Sequence, residues 1–282
     1  LSSSLTRIDN LFTLHKPVNI LVVGANASSL ELIYQISNLP SFSSADVFIT
    51  VLSPQGKLPP LYVSDKNSDF RALHLEKLSQ SEDEITADII LSEFKLDLAY
   101  ADAHNYDISD TLPVFTSHVG SLIARLSIAE KFRFSCFHGI EIGRLQRRAG
   151  SEYTSPIDDL IESNKLNVLK GSFLEFDQSN DRTLVKYSDA ESTSCLEFYD
   201  VVLNCSGSLG LQEATMSPLL SHLLRSGLCR TTSSKNGLVV GDEFQVAVGF
   251  YINGPLLSGN VVNNMGIWHV EHCGRIISFS KK

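Results

Sequence analysis

The sequence predicts an α/β fold, with a doubly wound parallel sheet, a helical insertion and a C-terminal part that contains a β-hairpin. A continuous apolar run at 18–23 is typical of a central strand of a parallel sheet. A turn with a single glycine follows, then a helix that runs to about Leu39, with Ser28 and Ser29 as the expected caps. A second β-rich run lies at 47–52. Strand, turn, helix and strand in this order make a βαβ unit, the start of a Rossmann-like sheet.

Helical spacing of apolar residues marks a segment that a minimal sheet of this kind does not need. The spacing holds at 69–95 and again at 115–134. It predicts a helical insertion at about 68–150, inside a Rossmann-like domain that spans 18–240. Residues 1–17 are then a lead-in segment.

After the insertion the pattern returns to strands and short helices. The sequence Ser155-Pro156 has the serine and proline of a helix start, and a further helix starts at Ser217-Pro218. Strands are predicted at 166–176, 183–187, 196–203 and 250–253, where β-forming residues cluster.

The C-terminal segment, 241–282, is predicted to open on a hairpin and to close on a helix. Gly241-Asp242 lies between apolar runs, as a hairpin turn does. The closing helix is expected at 266–279.

Composition excludes several classes of partner. The chain has 282 residues and a formal net charge of −9, and its basic residues do not cluster as a nucleic-acid-binding surface requires. No apolar stretch approaches the roughly 20 residues of a membrane helix, and no signal peptide is visible. The five cysteines are scattered and form no CxxC pair, which favours a reducing compartment and a cytoplasmic location. We expect neither nucleic acid nor membrane as a partner.

The turn after the first strand is the first candidate site. It reads Gly24-Ala25-Asn26-Ala27-Ser28, where a dinucleotide-binding turn carries three glycines. Gly24 can make the tight turn, and the free amides at the helix start favour an anion. The side chain of Asn26 would crowd a phosphate. The alternative interpretation is a strand–helix turn that binds nothing.

The end of the second strand is the next candidate. An NAD-selective site places an acid here for the ribose hydroxyls, whereas this sequence has Ser53 and, four residues later, Lys57. A hydroxyl and a cation suit a 2′-phosphate, so the sequence favours NADP(H). A solvated loop lysine explains Lys57 equally well.

Three further segments carry residues with possible chemistry. Ser206 and Gly207 follow a predicted strand and would approach a ligand from the sheet edge, while Cys205 is expected to be a buried structural thiol. Arg144, Arg147 and Arg148 suit either contact with a phosphate or substrate or a solvated basic stretch. His269 and His272 lie three residues apart on the expected closing helix, without a third ligand, so no metal site is predicted.

Six segments, taken in order, resemble FAD/NAD(P)-binding flavoproteins, distant relatives of the flavin monooxygenases. They are "VNILVVGANASSLELI", "VLSPQGKLP", "GRLQRRAGSEYTSPIDDLIESNKLNVLKGSF", "DVVLNCSGSLG", "PLLSHLLRSGLCR" and "YINGPLLSG…GIWHVEH". The resemblance is to the NAD(P)H-binding half and covers most of the chain. In the second segment Pro54 and Gln55 replace the family's arginines, and in the first the glycine motif is degenerate.

The resemblance implies an oxidoreductase. It implies that 18–240 binds NAD(P)H, that 241–282 corresponds to the closing part of an FAD domain, and that a small molecule is the substrate. The chain holds no second glycine-rich turn for FAD, so a partner polypeptide or another part of a longer protein would supply that half of the FAD site. The alternative is a non-catalytic Rossmann-like subunit that binds a partner protein and has lost tight cofactor binding.

Overall fold

The computed structural model describes residues 2–14, 16–64, 66–179, 181–207, 210–211, 217–268 and 273–281. The α-helices are α1 (Ser2–Phe12), α2 (Ala27–Ser37), α3 (Leu73–Gln80), α4 (Ala87–Ala103), α5 (Ile108–Arg125), α6 (Ile128–Arg133), α7 (Gly139–Leu145), α8 (Ser151–Glu162), α9 (Pro218–Arg225) and α10 (Cys273–Ser280). The strands are β1 (Val18–Val23), β2 (Val47–Ser53), β3 (Leu166–Lys170), β4 (Ser172–Ser179), β5 (Arg182–Ser188), β6 (Ser194–Tyr199), β7 (Val201–Asn204), β8 (Gln245–Ala247), β9 (Phe250–Tyr251), β10 (Asn260–Val262) and β11 (Met265–Ile267).

The chain divides into two compact units, each made of two stretches of sequence. Unit 1 comprises Leu1–Ser64 and Arg147–Gly207, and unit 2 comprises Asp65–Gln146 and Ser208–Lys282. The first stretch of unit 2 overlaps the helical insertion expected at about 68–150. The limit expected between residues 240 and 241 falls inside unit 2. The functional boundaries given above stay a prediction.

Unit 1 is built on a four-stranded parallel sheet in the order β3-β2-β1-β7. Ile20 of β1 lies opposite Ile49 of β2 on one side and Val201 of β7 on the other. Because every strand runs the same way, all four carboxyl ends lie at one edge of the sheet. The predicted α/β class with a Rossmann-like parallel sheet is confirmed.

The two faces of this sheet are covered by different kinds of structure. Ile33 and Ile36 of α2 and Ile157 of α8 belong to a core on one face, together with α1. The other face carries a second core, in which Leu21 and Leu52 pack with residues of the antiparallel sheet β4-β5-β6. The strands therefore bury both faces, which explains their continuous apolar runs.

Two predicted strands are each two strands in the structure. The run 166–176 divides at Gly171, where the chain leaves the parallel sheet for the antiparallel one and the Gly171 amide donates to the Ser53 carbonyl oxygen at 2.9 Å. The run 196–203 divides at Asp200, whose amide and carboxylate both bond to the backbone of Asn19. Apolar periodicity does not show such divisions, because apolar residues lie on both sides of each one.

Other local predictions were displaced or wrong. Helix α8 starts at Ser151 rather than Ser155, because Tyr153 packs against Tyr34 of α2 with ring centroids 5.6 Å apart. The expected helix caps Ser28 and Ser29 are also wrong, since Asn26 is the cap.

The C-terminal hairpin lies elsewhere than expected. Gly241-Asp242 leads into a 3₁₀ turn, Asp242–Phe244, and is not a hairpin turn. The hairpins are β8–β9 and β10–β11, and the second turns at Asn263 and Asn264, both with positive φ. The closing helix is shorter than expected, because β11 takes up the first residues of 266–279.

Unit 2 contains the insertion and the C-terminal hairpins. Helices α3, α4 and α5 bury Leu75, Phe94 and Phe115 in one core. A π-helical segment, Phe134–His138, joins α6 to α7, and the Trp268 ring packs edge-on against Phe134 at 5.2 Å. A separate core lies under the C-terminal hairpins, around Leu257 and Ile267.

Candidate functional site

All nine residues predicted to bind cofactor lie at the carboxyl edge of the parallel sheet in unit 1. They follow β1, β2 and β7, and β1 lies between the other two strands. The chain passes from β1 to β2 on one side, while β7 pairs on the other side, so the order reverses next to β1. Ligands of open α/β sheets bind in the crevice at such a switch point. The segments are Gly24–Ser28, Ser53–Lys57 and Ser206–Gly207.

The turn after β1 requires a glycine at its first position. Gly24 has φ +105°, and a Cβ there would collide with the carbonyl group of Cys205. The Gly24 amide also extends the sheet by donating to the Leu52 carbonyl oxygen at 2.8 Å. Both the backbone angle and the close approach to the segment after β7 therefore exclude a side chain.

The Asn26 side chain lies at the crevice and bonds two of the amide donors at the start of α2. Its Oδ1 accepts hydrogen bonds from the amides of Ser28, at 2.9 Å, and Ser29, at 3.2 Å. The Ser29 hydroxyl in turn accepts from the Asn26 amide at 2.8 Å, which completes a capping box. The Asn26 Nδ2 donates to the Cys205 carbonyl oxygen, so this side chain also joins the ends of β1 and β7.

This arrangement decides what the turn can offer an anion. A pyrophosphate at a helix start is bound by the first free amides. Here the amides of Ser28 and Ser29 are bonded to Asn26, while those of Ala25 and Ala27 carry no hydrogen bond within the described residues. A phosphate would have to displace the Asn26 side chain to bind all the amide donors of this turn.

The turn after β2 is closed by its own serine but presents a free cation. Ser53 is 1% exposed, and its hydroxyl accepts from the Gly56 amide at 3.1 Å. Lys57 is exposed and forms no ion pair with the described residues. Of the two residues predicted to hold the adenosine ribose, Lys57 faces solvent and Ser53 faces inward.

Lys170, at the end of β3, is a cation that sequence reasoning missed. It lies opposite Ser53 in the sheet register, and its side-chain stem lies where a Cβ of Gly56 would be. It is exposed and makes no ion pair with the described residues. No sequence motif marks it, since only the pairing of β3 with β2 brings it beside the turn that carries Lys57.

The turn after β7 is exposed and internally bonded. Ser206 donates from both its amide and its hydroxyl to the Asn204 side-chain oxygen, at 3.0 and 2.7 Å. Gly207 has φ +118° with open space around its Cα. Cys205 is 8% exposed and burial raises the pKa of its thiol, as expected of an unreactive cysteine.

Glu31, in the first of the six segments that carry the resemblance, is hydrogen-bonded to neighbours within unit 1. The Tyr153 hydroxyl donates to it at 2.6 Å and the Gln35 amide at 2.7 Å. These hydrogen bonds, that from Tyr153 most of all, lower the pKa of Glu31. Glu31 therefore joins α2 to α8.

The remaining candidates are the arginines at 144–148 and a segment outside the described residues. The Arg148 guanidinium lies 5.5 Å from the centre of the Tyr62 ring. His269, Glu271 and His272 lie outside the described residues. Among the residues that the structure describes, no three His, Cys, Asp or Glu side chains group as metal ligands would. Within the same residues, no helix combines the length and apolar character needed to cross a membrane.

Comparison with other sequences gives relatives without a described activity. No protein-family model matches the chain. It is 31% identical over 268 residues to uncharacterized proteins of Mycobacterium tuberculosis and Mycobacterium bovis. The match covers 93% of this chain and 50% of each relative. The chain thus spans about half the length of the curated relatives it matches.

Three solved structures of enzymes named as monooxygenases or hydroxylases resemble the chain at low similarity. L-lysine 6-monooxygenase from Pseudomonas syringae is 14% identical with TM-score 0.44, over 86% of this chain and 47% of that one. Lysine monooxygenase NbtG from Nocardia farcinica is 12% identical with TM-score 0.34, over 79% and 40%. Ornithine hydroxylase from Pseudomonas aeruginosa is 14% identical with TM-score 0.28, over 79% and 43%. At these scores the likeness carries no argument about function.

Proposed function

We propose that this chain is the NAD(P)H-binding portion of an FAD-dependent oxidoreductase of the monooxygenase or reductase type. The observation that carries the proposal is the meeting of three cofactor-type segments at the switch point between β1 and β7. The resemblance of those segments to a flavoprotein NAD(P)H-binding half supports the same assignment.

In this proposal each segment takes one part of the dinucleotide. Gly24, Ala25, Asn26, Ala27 and Ser28 line the pyrophosphate, which displaces the Asn26 side chain from the Ser28 and Ser29 amides. Lys57 holds the 2′-phosphate, and Ser53 shapes the turn that presents it. Ser206 and Gly207 approach the cofactor from the end of β7. NADP(H) is favoured over NAD(H), because the described residues place cations and no carboxylate in the turn after β2.

FAD fits the chain's own residues only in part. The sequence has no second glycine-rich turn after a strand, so no complete FAD site is assigned to this chain and no redox step is derived from its residues. We propose that another polypeptide, or another part of a longer protein, supplies the FAD half. The flavin would then carry the redox chemistry, and this chain would orient the nicotinamide.

A second candidate is a non-catalytic subunit that binds a partner protein. The Asn26 cap favours it, because the Ser28 and Ser29 amides are already bonded and the side chain joins the ends of β1 and β7. A turn of this kind is stable without a ligand.

Titration of the purified chain with NADPH and with NADH separates the two candidates. The oxidoreductase proposal predicts that NADPH raises the melting temperature at millimolar concentration and that NADH raises it less, because Lys57 pairs with the 2′-phosphate. No shift with either nucleotide would favour the non-catalytic subunit. The visible spectrum of freshly purified protein tests the FAD assignment, since a flavin band would show that this chain alone holds FAD.

Lys57→Ala tests the basis of the preference. Because the substitution removes one cation beside the 2′-phosphate, it should weaken NADPH binding about fivefold and leave NADH binding unchanged. Isothermal titration of both nucleotides measures this. Lys186→Ala is the matched control, because Lys186 lies in the same unit and is paired with Glu175 at 2.8 Å. Equal weakening of NADPH and NADH would contradict the assignment of Lys57.

A further inference from the structure

Strand β4 is an open edge of the antiparallel sheet. It lies at the end of the order β4-β5-β6, and no described residue pairs with its outer side. All eight of its residues are exposed, including Phe176 at 62% and Leu174 at 50%. Folded proteins usually protect such an edge, because its free amides and carbonyls can pair with another strand.

The two faces of β4 differ in character. Phe173 and Phe176 lie opposite Tyr187 and Val185, the buried residues of β5, and their rings are 6.3 Å apart. The apolar face of the sheet thus continues past its core into solvent. Residues directly opposite each other across two strands share a face.

The other face of β4 is acidic. Glu175 and Asp177 lie opposite Lys186 and Leu184. Glu175 is paired with Lys186, whereas Asp177 has no ion-pair or hydrogen-bond partner among the described residues. The edge therefore presents aromatic rings on one side and an unpaired carboxylate on the other.

The acids argue against a second copy of this chain as the occupant. Antiparallel pairing of β4 with itself places residues of the same face opposite each other. The register that sets Phe176 of the two copies opposite each other sets Glu175 of one copy opposite Asp177 of the other. Like charges directly opposite destabilise a pair of strands.

We propose that the free edge of β4 binds an extended segment of another polypeptide, with apolar side chains on one side and lysine or arginine on the other. The segment adds a fourth strand to the antiparallel sheet. Its apolar side chains cover Phe173 and Phe176, and its basic side chains lie beside Asp177. This mode of recognition takes affinity from backbone hydrogen bonds and specificity from alternate side chains. It is independent of the cofactor assignment.

The test uses a labelled peptide of alternating valine and lysine, of the eight-residue length of β4. The same peptide with glutamate for lysine is the control. Fluorescence anisotropy on the full chain should show binding of the basic peptide alone. Binding of both peptides with equal affinity, or of neither, would overturn the proposal.

Two variants and a matched control locate the site. Phe176→Ser should weaken binding of the basic peptide about tenfold, because an apolar contact is lost. Leu196→Ser should change nothing, although Leu196 of β6 is equally exposed at 62%. Asp177→Lys should weaken the basic peptide about threefold and allow the acidic one to bind. Equal effects of Phe176→Ser and Leu196→Ser would overturn the proposal.

Two measurements on the unaltered chain need no variant. Hydrogen exchange with and without the basic peptide should show added protection at 173–179, and protection confined to other segments would overturn the proposal. Sedimentation equilibrium should show no dimer that forms through β4. A dimer that the basic peptide dissociates would identify a second copy as the occupant and overturn the proposal.

Discussion

The turns after β1 and β2 lie side by side at one sheet edge, but they differ in how their polar groups are bonded. After β1, the Asn26 side chain bonds the Ser28 and Ser29 amides and the Cys205 carbonyl oxygen, so two donors of the helix start are bonded within the protein. After β2, the backbone is closed by Ser53, while Lys57 and the neighbouring Lys170 point charge at solvent without an ion pair among the described residues.

This difference separates the fold of a nucleotide site from its ability to bind. The glycine that the turn geometry needs, Gly24, is present because the chain after β7 approaches too closely for a side chain. The glycine that gives access to a phosphate is replaced by Asn26. The geometry of the turn can therefore persist while its donors serve the protein itself.

The largest expected effect comes from Gly24→Ala. The new Cβ meets the Cys205 carbonyl group in a backbone conformation that side chains rarely adopt, and we expect a loss of about 2–4 kcal/mol of unfolding free energy. Urea unfolding measures this. Gly207→Ala is the control, because it has a similar φ but open space, so strain alone should cost about 1–2 kcal/mol. Equal losses would show that the close approach is unimportant.

The antiparallel sheet also contains both unpaired and hydrogen-bonded side chains. Its hydrogen-bonded tyrosines predict that the free energy of unfolding depends on pH. Asp177 is unpaired, whereas Glu197 accepts hydrogen bonds from Tyr187 at 3.0 Å and Tyr199 at 2.6 Å. Burial first, and then these bonds to Glu197, raise the pKa of both tyrosines above the usual 10.0.

A raised pKa means that the folded state keeps these protons more tightly than the unfolded state does. The contribution of Tyr187 and Tyr199 to stability is complete below pH 10 and is lost as pH rises from there through their folded-state pKa values. In that range each tyrosine should lower the free energy of unfolding by up to about 1.4 kcal/mol per pH unit. Urea unfolding from pH 8 to 11 measures this, and Tyr187→Phe should reduce the slope. An unchanged slope would contradict the assignment to Tyr187.

A smaller effect is expected from Asn26→Gly, which makes the first turn resemble an open phosphate turn. It frees the Ser28 and Ser29 amides, so NADPH should bind about tenfold more tightly, at a cost to stability of a few tenths of a kcal/mol. Isothermal titration measures the affinity. Asn38→Gly, at the other end of α2, is the control. Unchanged affinity would show that the cap is not what limits binding.

Asn26→Asp sharpens the same point. The aspartate keeps the acceptor for the helix cap but loses the donor to Cys205 and adds a negative charge. NADPH binding should fall below the wild-type level while the helix stays capped.

Much of unit 1 could be predicted locally. The bounds of β1 and the start of β2 follow from apolar runs between turn residues, because a strand buried on both faces needs a continuous run. The asparagine cap was missed, although Asn26 and Ser29 stand three apart as in a capping box. The pattern is ambiguous because the same positions, 26 and 29, are those of two glycines in a dinucleotide-binding turn.

The sequence by itself determined the α/β class, the strand–turn–helix start and the residue types at three strand ends, because these depend on local periodicity and turn chemistry. The tertiary structure decided which strand ends meet. It placed Cys205 against Gly24, Lys170 beside the turn of Lys57, and β4 at an open edge. Such neighbours are distant in sequence, so only strand pairing fixes them. For the same reason, the use of Asn26 as a bridge between β1 and β7 is a property of the fold rather than of the motif.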